Sequence, residues 1–109
     1  MSEVQRSGEG PVPPQARKLY EQEYRHAADL FERALKEHGK SDNAYQKEEF
    51  KEVMGKAMVV LNETAREMKR KELLKQNQKI EEDFSIYQKS PSPSTRKKLE
   101  QDLKRAKEA

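Results

Sequence analysis

From Ala16 to Ala106 apolar residues return every third or fourth position, and clusters of helix-stopping residues interrupt them at only two places, Gly39 to Asn43 and Ser90 to Ser94. Steps of three and four gather side chains on one face of a helix; a strand would scatter them over both faces. The fold class follows: all-α, with helix lengths set by where the breakers fall.

The first stripe is Ala16, Tyr20, Tyr24, Ala27, Phe31, Ala34 and His38, widened by Leu19, Leu30 and Leu35. Glu21 and Glu23 come early and Lys36 late, the order the helix dipole favours. Gly39 reads as the residue after the helix, in a left-handed conformation. Ser41 or Asp42 reads as the cap of a second helix. So short a connection predicts an antiparallel hairpin. The second stripe is Phe50, Met54, Ala57, Leu61, Ala65 and Met68, with Val53, Met58 and Val60 beside it. Gly55 interrupts it at a cost of roughly 1 kcal/mol relative to Ala, which suggests a close backbone approach to the first helix.

Beyond Met68 the phase breaks. Lys69 to Glu72 is wholly charged, after which Leu73, Leu74, Ile80, Phe84 and Tyr87 resume with a new offset. No Gly or Pro intervenes before Pro91, so a helix from 43 to 88 would run for roughly 69 Å, against about 34 Å for the first. Its far half would be uncovered unless the last segment folds back on it. That segment carries Leu99, Leu103 and Ala106, and Ser94 or Thr95 reads as its cap. The predicted architecture is an antiparallel hairpin (16–38 and 43–70) with a long second helix to about 88 and a short C-terminal helix from about 95. A three- or four-helix bundle is the alternative if the chain bends at 69–72. Residues 1–14, rich in Ser, Gly, Glu and Pro, read as a disordered tail, 15–109 as one helical domain, and 89–94 as a Ser/Pro linker.

Composition limits the chemistry. Hydrophobic residues make up 32% and charged residues 39% of the 109, and there is no Cys. A disulfide framework, a thiol nucleophile and every Cys-based metal site are therefore excluded. His26 and His38, the only two histidines, lie about 18 Å apart on one helix and cannot act as a pair. His38 reads as a dipole-compensating residue at a helix end and His26 as solvated. The chain contains no Gly-rich phosphate loop, G-x-S-x-G or H-E-x-x-H. Neither catalysis nor a cofactor, metal or small-molecule substrate is expected. The polar first residues lack the apolar core of a signal peptide, and no apolar run reaches the roughly 18 residues of a membrane span. The expectation is a soluble, cytoplasmic protein.

Two surfaces are candidates for partners. Leu73, Leu74, Ile80, Phe84 and Tyr87, if uncovered, form a stripe suited to another protein's helix or to a second copy. That makes an adaptor, assembly factor or chaperone-like subunit the first expectation. Arg66, Lys69, Arg70, Lys71, Lys75 and Lys79 form the densest basic stretch. They point, as the alternative, to electrostatic binding of nucleic acid or an anionic membrane. The Ser90-Pro91 and Ser92-Pro93 steps read as linker and cap chemistry, with proline-directed phosphorylation the other reading. The run Ala27 to Leu35 resembles the second helix of a tetratricopeptide repeat, with Ala27, Phe31 and Ala34 at the matching spacing. The first helix of such a repeat would fall in the Pro-rich segment and its later Pro is missing, so the resemblance covers one helix only.

Overall fold

The computed structural model describes residues 13–109. It contains four helices: α1 (Pro14–Lys40), α2 (Ala44–Glu67), α3 (Lys71–Lys89) and α4 (Pro93–Glu108). Each packs on its neighbours in cyclic order, α1 on α2, α2 on α3, α3 on α4 and α4 on α1. Tyr24, Phe31 and His38 of α1 meet Asn77, Phe84 and Tyr87 of α3 in the same order, so these diagonal helices run parallel. Gln76 meets Asp102, and Asp83 meets Lys98, in opposite order, so α3 and α4 are antiparallel. The result is an up-down-up-down four-helix bundle, the alternative rather than the hairpin with one long helix. The tail reading falls outside the described residues for 1–12, and Pro14 opens α1.

The bend that decides the architecture lies at Met68–Arg70. Lys69 takes φ 56°, in the left-handed region. The Arg70 amide donates to the Ala65 carbonyl and the Lys69 amide to that of Arg66. These are the 6→1 and 5→2 bonds of a Schellman helix end, made without glycine. Folding back places Leu73, Ile80, Phe84 and Tyr87 in one core with Phe31, Leu35, Met54, Leu61, Leu99 and Leu103. Each such burial is worth about 1.5–3 kcal/mol, which outweighs a single unfavourable φ. Phe31 and Phe84 meet edge to face with centroids 5.1 Å apart.

The helix ends differ from the sequence reading in three places, and Gly55 inside α2 differs as well. Gly39 lies inside α1, which runs on to Lys40 before Ser41 turns extended. A Cβ on Gly39 would fall 2.5 Å from Arg96 Nη1 of α4, the mobile end of a long side chain that could shift to make room. Asn43, not Ser41 or Asp42, caps α2, its Oδ1 accepting from the Gln46 amide at 3.1 Å. Ser92, not Ser94 or Thr95, caps α4, in a reciprocal capping box with Thr95. Gly55 has open space where its Cβ would be, so no close approach requires it.

Candidate functional site

The apolar stripe expected to be free is covered. Leu73, Ile80, Phe84 and Tyr87 are buried and Leu74 packs half-buried against the same core. The bend packs α3 against α2, Phe31 and His38 of α1 reach Phe84 and Tyr87 across the core, and α4 covers the other side with Leu99, Leu103 and Ala106. The basic stretch is divided by the same bend. Arg66 stays exposed on α2, while Arg70 turns partly inward, its Nη2 3.5 Å from Glu72 Oε2 and donating to the Ala109 carbonyl at 3.3 Å. Lys69 sits in the turn, and Lys71, Lys75 and Lys79 keep their common exposed face on α3.

The interior also holds polar groups. His38 is buried, and its Nδ1 shares a hydrogen bond with Tyr87 Oη at 2.6 Å. Burial, then the nearby charges of Lys47 and Lys51, holds its imidazole below the ordinary histidine range, which favours the neutral ring. Tyr24 Oη donates to Asn77 Oδ1 at 2.7 Å, and Asn77 Nδ2 donates to the Leu61 carbonyl and to Asn62 Oδ1. One buried amide thus ties α1, α2 and α3 together in a single register. His26 is exposed, as expected. Between α3 and α4 the buried carboxyl groups of Asp83 and Asp102 face one another.

An apolar opening lies on the outer side of the α1–α2 seam. Ala27 and Ala57 form its floor, small enough for the helices to come close. Leu19, Leu30 and Val60 wall it, and Gln22, Glu23, His26 and Lys56 rim it, enclosing about 540 Å³. Leu19 is 62% exposed and Leu30 37%, so the leucines read as widening the core stripe stand instead at the edge of a groove. Through Glu23 and Val60 the groove continues into a second hollow of about 430 Å³ lined by Tyr20, Glu63, Thr64, Arg66 and Glu67. That end is acidic: three carboxylates face one guanidinium, and Tyr20 Oη approaches Glu67 Oε1 at 3.5 Å.

Among the described residues, no group of three or more His, Asp or Glu is placed to hold a metal ion. No helix there is long and apolar enough to cross a membrane. No family model matches the sequence, and no similar curated protein or solved structure is found.

Proposed function

We propose that the protein is a helical interaction module that receives an amphipathic helix of a partner protein in the outer α1–α2 groove. The observation that carries this is the pairing of exposed Leu19 and Leu30 with a floor of Ala27 and Ala57. A groove between two close-packed helices accepts apolar side chains repeating at i, i+4 and i+7 of a third. Electrostatics narrows the partner further. Glu23, Glu63 and Glu67 outnumber Arg66 at one end, so the docking helix carries Lys or Arg beside its apolar face. Exposed charges of this kind act more on orientation and association rate than on affinity.

Fluorescence anisotropy with labelled helical peptides tests the reading. The peptides share an apolar i, i+4, i+7 face and differ only in flanking Lys or Glu. The Lys-flanked series binds more tightly, and Leu19→Asp with Leu30→Asp weakens it by at least about tenfold, some 1.4 kcal/mol. Equal binding to wild type and the double variant refutes the proposal, as does a preference for the Glu-flanked series. A concentration-dependent rise in mass that the same double variant abolishes replaces the partner helix with a second copy.

A second reading, electrostatic binding of nucleic acid or an anionic membrane, is favoured by one observation: Lys71, Lys75 and Lys79 remain exposed along α3. It requires binding that falls steeply with salt. Binding unchanged by Lys71→Glu with Lys75→Glu removes it.

A further inference from the structure

The α3–α4 seam holds two carboxyl groups that the groove reading leaves unused. Asp83 of α3 is 6% exposed and Asp102 of α4 only 3%. The Oδ2 atoms of both are buried and accept no hydrogen bond. Asp83 Oδ1 has Lys98 beside it, whose largely exposed ammonium stands 4.0 Å away. Two ionised carboxylates are badly placed here, because each keeps an unsatisfied acceptor and they repel one another in a poorly solvated seam. One proton removes both penalties, since a protonated carboxyl becomes an O–H donor to its neighbour. Burial, followed by the hydrogen bond and charge of Asp83, pushes the Asp102 carboxyl up to about 7.

The surroundings do not cancel this. From α3 the groups acting on Asp102 are Asp83 and Lys79, and from α4 itself Lys98; α2 contributes none. α1 faces α4 with Asp29 and Glu32, both bound by Lys107 at 2.9 and 2.7 Å. Gln76 Nε2 donates to the Asp102 carbonyl at 2.9 Å, which leaves the carboxyl unserved.

We propose that Asp83 and Asp102 form a proton-operated latch: a shared proton holds α4 against α3, and its loss loosens α4 from the apolar face of Leu73, Ile80, Phe84 and Tyr87. α4 is the element suited to move. It is the shortest helix, 16 residues, and such a helix is marginal in water without its packing partners. The surface it uncovers is apolar and distinct from the α1–α2 groove, so the latch stands or falls independently of that groove's function.

Native-state amide exchange on the full chain, corrected for the intrinsic pH dependence of exchange, provides the test. Amides of Leu99, Leu103 and Ala106 report α4, and those of Met58 and Leu61 report α2. The α4 opening constant should rise by up to about tenfold per pH unit between about 4 and 7 and level off above, while α2 stays flat. Asp102→Asn supplies a permanent donor and should abolish the rise; Asp83→Asn serves the same purpose if the first variant does not fold. Carbon-13 titration of the wild-type Asp102 carboxyl should show a midpoint well above the ordinary carboxylate range. A midpoint inside that range, a rise surviving both variants, or an equal rise in α2 overturns the latch.

Discussion

The two outer seams of the bundle invert one another. Along α1–α2 the buried floor is alanine and the walls are exposed Leu19 and Leu30 beside half-buried Val60, so apolar area that could have been core is left in water. Along α3–α4 the outside is mostly charged and polar, with Ile86 its one exposed large apolar side chain among the described residues, and the seam encloses two aspartates. A seam packed through small apolar groups has no titratable group in its packing, the charges of Glu23, His26 and Lys56 lying at its exposed rim. A seam with buried carboxyl groups depends on their protonation state for part of its cohesion. The bundle therefore separates a constant surface from a conditional one, and substitutions in the two seams should differ in kind as well as in size.

The largest difference should appear on truncating leucines. Leu103 of α4 is fully buried, and Leu103→Ala should cost about 2–5 kcal/mol through lost burial and the cavity left behind. Leu30→Ala, at the groove rim, should cost far less. Urea unfolding of both variants checks the ranking. Comparable losses would mean that the groove rim belongs to the core.

Next in size is the pH dependence of the α3–α4 seam. The Asp102 carboxyl is raised from 3.8 to about 7 in the fold. The native state thus holds this proton between about pH 4 and 7 while the unfolded chain has released it. With more protons bound in the native state, this residue's contribution to stability falls as pH rises through that window. Asp102→Asn should therefore be more stable than wild type at pH 8 by about 1–2 kcal/mol, with little difference at pH 4. Thermal unfolding at the two pH values checks the sign. A variant less stable at pH 8 would show that the ionised pair is compensated.

Both seams were only partly legible in the sequence. The helices were, because Tyr20, Tyr24, Ala27, Phe31 and the stripes that follow them keep the helical period. The bend at Lys69 was legible only as the break of phase after Met68, and so only as the alternative of a chain bending at 69–72, because a Schellman end normally announces itself with glycine and this one uses lysine. Leaving it as the alternative made the α3 stripe look uncovered. The groove escaped notice because Leu19 and Leu30 flank the core stripe so closely that periodicity alone assigns them inward. A signal for the buried polar groups was present. Asn77 lies between Leu73 and Ile80 at steps of four and three, and Asp102 between Leu99 and Ala106 at steps of three and four. A polar residue occupying a stripe position in a covered helix must find a partner or a proton.

Two backbone substitutions follow from those misreadings, each worth about 1 kcal/mol. Gly55→Ala adds a methyl group where nothing lies within 4 Å and should stabilise by about 1 kcal/mol through helix propensity. Lys69→Gly relieves a left-handed φ of 56° and should gain about 1 kcal/mol, part of it offset by the freer unfolded chain. Denaturant midpoints measure both. A loss in Gly55→Ala would reveal a packing requirement at α2 absent from the bundle as described.

The smallest expected change in stability is the most discriminating. Leu19→Ser with Leu30→Ser removes the apolar rim but leaves Ala27 and Ala57 buried beneath it. Surface substitutions away from special features stay within about 0.5 kcal/mol, so the unfolding midpoint should scarcely move. The same pair of changes should remove recognition of a Lys-flanked amphipathic helix, because it deletes the side chains that walled the groove. Exposed apolar groups that contribute nothing to folding are retained only at a cost in solubility. Binding lost at constant stability would assign that cost to recognition. A substantial fall in stability would assign the leucines to the fold, and the contrast between the two seams would then rest on Asp83 and Asp102 alone.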